Sequence, residues 1–288
     1  MDALTQPFVE FAFMRRALVG TLALALGAAP IGCLLVLKRL SLVGDAMSHA
    51  VLPGAAAGFL LAGLSLPAMS LGGFVAGVVV ALAAGLVTRR TPQREDASFA
   101  AFYLIALALG VLLVSLRGSQ VDLLHLLFGS VLAIDDAALL LVAAVSSVTL
   151  VVLALVWRPL LVDAADPVFL RSVGGPGGAA HAALLLLLVA NLVSAFQAMG
   201  TLLAVGLMML PAAAARFWVA RVAPMCLLAT ALAAAGGIAG LLLSYHAELP
   251  SGPCIVLACG LLYLASLFLG ARDGLLRHHL RASMPRRA

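Results

Sequence analysis

Apolar stretches of roughly 15 to 22 residues recur along the whole of this 288-residue chain, each about long enough to cross a hydrocarbon core as a helix. They fall at 17–37, 46–62, 67–87, 98–116, 139–156, 179–197, 202–215, 222–243 and 254–269. The run at 202–215 is short and carries Pro211, and the run at 46–62 carries Pro53 and a polar pair. Either can be a broken or half-crossing helix, so the expected count is about eight or nine spans. A membrane β-barrel is excluded, because its strands would read as alternating segments of about ten residues. With 64% hydrophobic and 10% charged residues, no stretch remains for a soluble domain. The expectation is an all-α polytopic transmembrane helix bundle, one domain over 1–288, with a short tail from about 272.

The charge distribution orients this bundle. The net charge is +5, and Lys38 is the only lysine. Arg89, Arg90 and Arg94 share one loop, Arg158 and Arg171 another, and Arg216 and Arg221 a third. The tail holds Arg272, Arg277, Arg281, Arg286 and Arg287. By the positive-inside rule these four groups agree on a single threading with a cytoplasmic C-terminus. Arg15–Arg16 and Lys38–Arg39 flank the same span and cannot both be inside if it crosses once, so the N-terminal side stays open. The basic tail reads as a topology signal beside lipid rather than as a nucleic-acid surface. Cys33, Cys226, Cys254 and Cys259 lie in apolar runs without metal-finger spacing and read as small core residues. Glycines four apart at Gly54/Gly58, Gly73/Gly77 and Gly236/Gly240 suit close helix approach in a compact bundle or a dimer face.

Three polar elements stand out against this background. Asp45 and His49 are four apart in an apolar stretch, so on a helix they share one face. An aspartate in lipid costs about 2.5–3.5 kcal/mol on the insertion scale, so such a pair faces a bundle interior and marks an ion or proton path. A carboxylate beside an imidazole can hold a divalent transition metal. The second element runs from Asp163 to Gly178: an aspartate cap, proline at the first helical position, a helix of under three turns, then a glycine-rich stop. A short capped cytoplasmic helix between two spans suits docking into a partner. The third, Ser244 to Pro253, is a boundary turn on the opposite side that holds His246 and Glu248, whose presence turn chemistry does not explain. Asp122, His125, Asp135 and Asp136 read as solvated outer-loop charge, and Gln197 as an interhelical hydrogen bond.

The run Gly-Asp-Ala-Met-Ser-His-Ala-Val-Leu-Pro-Gly over 44–54 resembles the signature of the zinc and manganese permease family of ATP-binding-cassette importers. The likeness continues through Leu127 to Ile134, the Trp-Arg-Pro-Leu exit at 157–160, Arg171 to Gly174, Gln197 to Leu203, Leu210 to Ala213, and Ser244 to Pro253. The resemblance implies a type II importer-like permease of a bacterial inner membrane that carries out no catalysis and binds no cofactor, its cargo being Zn²⁺ or Mn²⁺. It implies a homodimer that pairs with two copies of a separate ATPase and takes metal from an extracytoplasmic binding protein. The chain agrees in having no phosphate-binding loop, since Lys38 lacks the glycine context.

By the same resemblance, Asp166, Phe169, Arg171 and Gly174 belong to the element that enters the ATPase, and Asp45, His49 and Glu248 are metal ligands. Phe169 replaces the small residue often found there, Glu248 replaces an aspartate, and His246 is an addition. Imidazole suits zinc best and carboxylate-rich sites suit manganese, so His246 tilts the expected ion to zinc, with manganese or iron as the alternative. A lone gradient-driven carrier would have no need of the docking helix, and an intramembrane metalloenzyme would need His-Glu-x-x-His, which is absent.

Overall fold

A computed structural model describes residues 2–63, 65–116, 131–272 and 274–276. Asp122, His125, the first half of the segment from Leu127 to Ile134 and the tail arginines from Arg277 onward lie outside these residues. The described residues form α1 (Asp2–Glu10), α2 (Ala12–Leu37), α3 (Ser41–Ala50), α4 (Leu52–Ala62), α5 (Leu66–Arg90) and α6 (Glu95–Leu116). A 3₁₀ turn (Val131–Ala133) then leads into α7 (Asp136–Ala165), α8 (Pro167–Ser172), α9 (Gly177–Met199), α10 (Thr201–Arg216), α11 (Val222–Ala247) and α12 (Ser251–Leu269). No strand occurs among the described residues, as the continuous apolar runs required.

Among the described residues seven single helices, rather than the expected eight or nine, are long and apolar enough to cross a membrane: α2, α5, α6, α7, α9, α11 and α12. The difference lies in the two interrupted runs. Pro53 lacks the N–H that would bond the His49 carbonyl, and the helix divides at Val51 into α3 and α4. The run at 202–215 becomes α10, only 16 residues long, separated from α9 by Gly200 at φ 92° and ψ 162°, a conformation open to glycine.

Two helices make the core. Of the most apolar stretch, 72% is buried in α2 and 67% in α9, against 39% or less in the other five. Around them α3 to α6 pack on one side, and α10 to α12 on another. The glycine pairs close contacts within the chain, so they serve the bundle and not a dimer face. A Cβ at Gly54 would stand 2.0 Å from the Gly72 carbonyl oxygen, and one at Gly240 would stand 2.3 Å from Ile255 Cα. All four cysteines are buried and unpaired. Gln197 departs from expectation, since its buried Nε2 has no hydrogen-bond partner among the described residues.

Long-range polar contacts fix which ends lie together. Lys38 pairs with Asp163 and reaches His181, and His181 reaches Glu95. Arg216 donates to the Val36 carbonyl, and the Arg272 N–H donates to the Phe217 carbonyl. These contacts gather Lys38, the α5–α6 loop, the α7–α9 connection and the end of α12 at one end of the bundle. At the other end, Arg16 Nε stands 3.0 Å from Asp136 Oδ1. The conflict between the two N-terminal basic pairs is thereby resolved: Lys38–Arg39 belongs to the arginine-rich end and Arg15–Arg16 to the other.

The packing and the threading each give a test. Gly54→Val should cost about 1–3 kcal/mol by overpacking against the α5 backbone, whereas Gly85→Ala, whose added methyl meets open space, should be neutral or stabilising; thermal melts in detergent separate the two. In a background cleared of native cysteines, Ala137→Cys and Val173→Cys should react with impermeant maleimide from opposite faces of the membrane. Labelling of both from the same face would contradict the threading.

Candidate metal centre and coupling surface

The helix carrying the polar pair is held by its apolar side. Val43, Met47 and Ala50 are fully buried, which turns Asp45 and His49 away from the core of the same chain. A tight turn launches α3: Arg39 takes a left-handed φ of 60°, and Leu40 is buried behind it. Inside α3, His49 Nε2 stands 3.9 Å from Asp45 Oδ1, with the side chains 35% and 67% exposed. That separation leaves room for an ion between them. Ser48 is spoken for, because its hydroxyl donates to the Asp45 carbonyl at 2.7 Å.

The neighbours of the pair come from α6 and α10. The Tyr103 ring on α6 lies 6.2 Å from the His49 ring. Met209 on α10 faces Gly44, its sulfur 3.6 Å from where a Cβ would sit. Sequence reasoning passed over both residues, since a tyrosine and a methionine in apolar helices carry no positional signal until the helices are placed.

The structure does not bring His246 and Glu248 to Asp45 and His49. Among the described residues no three His, Cys, Asp or Glu side chains come together in a way that could hold a metal ion. The reason is placement: α11 packs on α2, α10 and α12, while α3 lies across α2 and α10 on the α6 side. His246 Nδ1 is 2.8 Å from the Leu242 carbonyl oxygen, and its ring stacks edge-on against Tyr245, which in turn meets Phe11. Glu248 closes α11 in a left-handed conformation at φ 54°, with Ser244 bonded to the Leu249 carbonyl across the turn. Both residues are exposed at the Arg16–Asp136 end.

The capped segment at 163–178 forms the short helix its residues predicted. Asp166 Oδ1 accepts from the Val168 and Phe169 N–H groups at 3.0 and 2.8 Å, and Pro167 starts α8. Gly174 at φ 68° ends the segment, and Gly175 donates to the Leu170 carbonyl. Leu170 is the buried anchor, while Val168, Phe169 and Val173 are 65%, 54% and 60% exposed. Arg171 lies among them, its Nε donating back to the Pro167 carbonyl. An apolar knob with one cation thus projects from the arginine-rich end, carried between α7 and α9.

Comparison with known proteins agrees with this architecture. Residues 10–270 match the ABC 3 transport family. The manganese import system permease protein ScaB of Streptococcus parasanguinis is 34% identical over 271 residues, covering 94% of this chain and 95% of the relative. The manganese transport system membrane protein MntC of Halalkalibacterium halodurans is 32% identical, covering 95% and 92%. A solved structure, PsaBC from Streptococcus pneumoniae in complex with Fab, superposes with a TM-score of 0.83 at 29% identity, covering 96% of this chain and 98% of that one. A helix bundle with a half-exposed carboxylate–imidazole pair, matched along nearly its whole length in this way, belongs to the ABC 3 transport family as a multi-pass membrane permease for metal import.

Proposed function

We propose that the chain is the permease of an ATP-binding-cassette importer whose ion is manganese. Two copies work as a homodimer in a bacterial inner membrane, with two cytoplasmic ATP-binding subunits and an extracytoplasmic binding protein that delivers the ion. The observation that carries this reading is the Asp45/His49 pair, 3.9 Å apart and partly exposed on an otherwise apolar bundle. Two side chains are too few for a transition-metal ion, which takes four to six donors. A second copy offering the same pair across a two-fold axis completes the set and also covers the exposed charge.

Manganese is favoured over zinc on two grounds. The relatives ScaB and MntC are named for manganese, and the tilt to zinc rested on His246, which stands apart from the pair. Glu248 and His246, at the outer end, are suited to receive the ion from its carrier. The arginine-rich end is cytoplasmic by the positive-inside rule, which puts Val168, Phe169, Arg171 and the C-terminal end of α12 on the ATPase side.

Asp45→Ala and His49→Ala should each abolish Mn²⁺ uptake by the assembled importer while leaving the folded permease in the membrane. His246→Ala should leave the manganese-to-zinc ratio unchanged in competitive uptake; a shift of that ratio would return His246 to the ion site. Uptake at the wild-type rate in Asp45→Ala would remove the assignment of the centre. Arg171→Glu should lower uptake while the detergent-solubilised permease still binds Mn²⁺, measured by elemental analysis. Unimpaired uptake in that variant would take α8 out of the ATPase contact.

A further inference from the structure

Four polar side chains meet at the cytoplasmic end, and each belongs to a different helix or its cap. Lys38 caps α2, Asp163 lies in the last turn of α7, His181 in the first turns of α9, and Glu95 opens α6. The Lys38 ammonium is ion-paired with the Asp163 carboxylate and stands 3.0 Å from His181 Nδ1. His181 Nε2 stands 2.9 Å from Glu95 Oε1. An ammonium has only protons to give, so Nδ1 accepts from it and the ring proton sits on Nε2, facing Glu95. The side chains are 11% exposed at Lys38, 10% at Asp163, 13% at His181 and 25% at Glu95.

The placement of the four is informative. Asp163 precedes the α8 cap Asp166 by three residues, and His181 follows Gly174 by seven. The coupling segment is therefore gripped on both flanks. A Cβ on Gly177 would stand 3.2 Å from Asp163 Oδ1, so the carboxylate is wedged between the end of α7 and the start of α9. On the other side, Lys38 precedes α3 by three residues, and Glu95 begins the helix that packs along α3 and carries Tyr103 beside His49.

We propose that Lys38, Asp163, His181 and Glu95 form a linkage that carries displacement of the coupling helix to the Asp45/His49 helix. The inference rests on the reading of α8 as the ATPase contact and of Asp45/His49 as the ion site, and it assigns these four as positioning residues. Stability is a poor reason to keep such a cluster. A buried ion pair is often matched or bettered by apolar side chains of similar volume, whereas a pair with one partner withdrawn leaves a costly bare charge. The contacts are thus either made or broken, with little in between. That is the behaviour required of an element that passes a two-state motion between sites.

The test uses the complete importer, permease with its ATPase subunits, in proteoliposomes, and reads Mn²⁺ transported per ATP hydrolysed. Lys38→Met and Asp163→Asn should each lower that ratio by about tenfold, within the usual range for coupling between sites. ATP hydrolysis and Mn²⁺ binding by the permease should persist. The charge-swapped double variant, Lys38→Asp with Asp163→Lys, should recover a large part of the loss, and a merely structural defect in the single variants would instead lower Mn²⁺ binding and ATP hydrolysis as well. His181→Gln leaves the ion pair in place and should also lower the ratio, so it decides the matter if the charge variants fail to fold. A wild-type ratio in His181→Gln, or in the folded single charge variants, overturns the linkage. Failure of the underlying reading shows elsewhere: Asp45→Ala or Arg171→Glu would then transport normally with the linkage intact.

Discussion

Helices in lipid gain little by hiding apolar side chains from one another, because the surrounding acyl chains are equally apolar. What holds this bundle is contact distance. The hub helix α2 shows how distance is won: a Cβ at Gly20 would strike Met199, one at Gly27 would strike Asn191 and Ser146, and one at Gly32 would strike the Met208 backbone. Three glycines on one helix thereby admit α9, α7 and α10 to close quarters. The short hairpin of α4 on α5 works the same way, backbone against backbone at Gly54 and Gly72. The helix α3 then packs across α2 and α10, the two helices that meet at Gly32.

Polar groups are affordable in such a bundle only where the packing gives them partners or a job. Asn191 donates to Thr149 and to the Leu187 carbonyl from a fully buried position, tying α9 to α7. Lys38, Asp163, His181 and Glu95 answer one another at the arginine-rich end. Asp45 and His49 are different, for they face outward from their own chain, with each other and the Tyr103 ring beside His49 for company. A charge left half-covered on an apolar surface is costly, so the surface it faces must be either another protein copy or an aqueous path.

Much of this was legible in the residues. Long apolar runs gave the helical class, because length and hydropathy report directly on the membrane. The pair at 45 and 49 and the capped segment at 166–174 were also legible, since both depend on neighbours within two turns. What was not legible depended on contacts across the chain. The N-terminal orientation needed Arg16 to meet Asp136, and the meeting of Lys38 with His181 needed α2 and α9 to be placed. The supposed convergence of Glu248 and His246 on Asp45 failed for the same reason: α2 and α10 stand between them, and no spacing rule reports an intervening helix. Pro53 and Gly200 were visible as interruptions, yet how far each divides a span is settled only by the helices around it.

The short capped helix α8 has an evolutionary consequence. At six residues it is too short to persist by itself, and its shape is held by Asp166, Pro167, Leu170 and the glycines that follow. The residues it displays, Val168, Phe169, Arg171 and Val173, contribute little to that shape. Folding and surface display are thus inscribed in separate letters of one short word. The displayed set is free to drift, one substitution at a time, without passing through a chain that cannot fold.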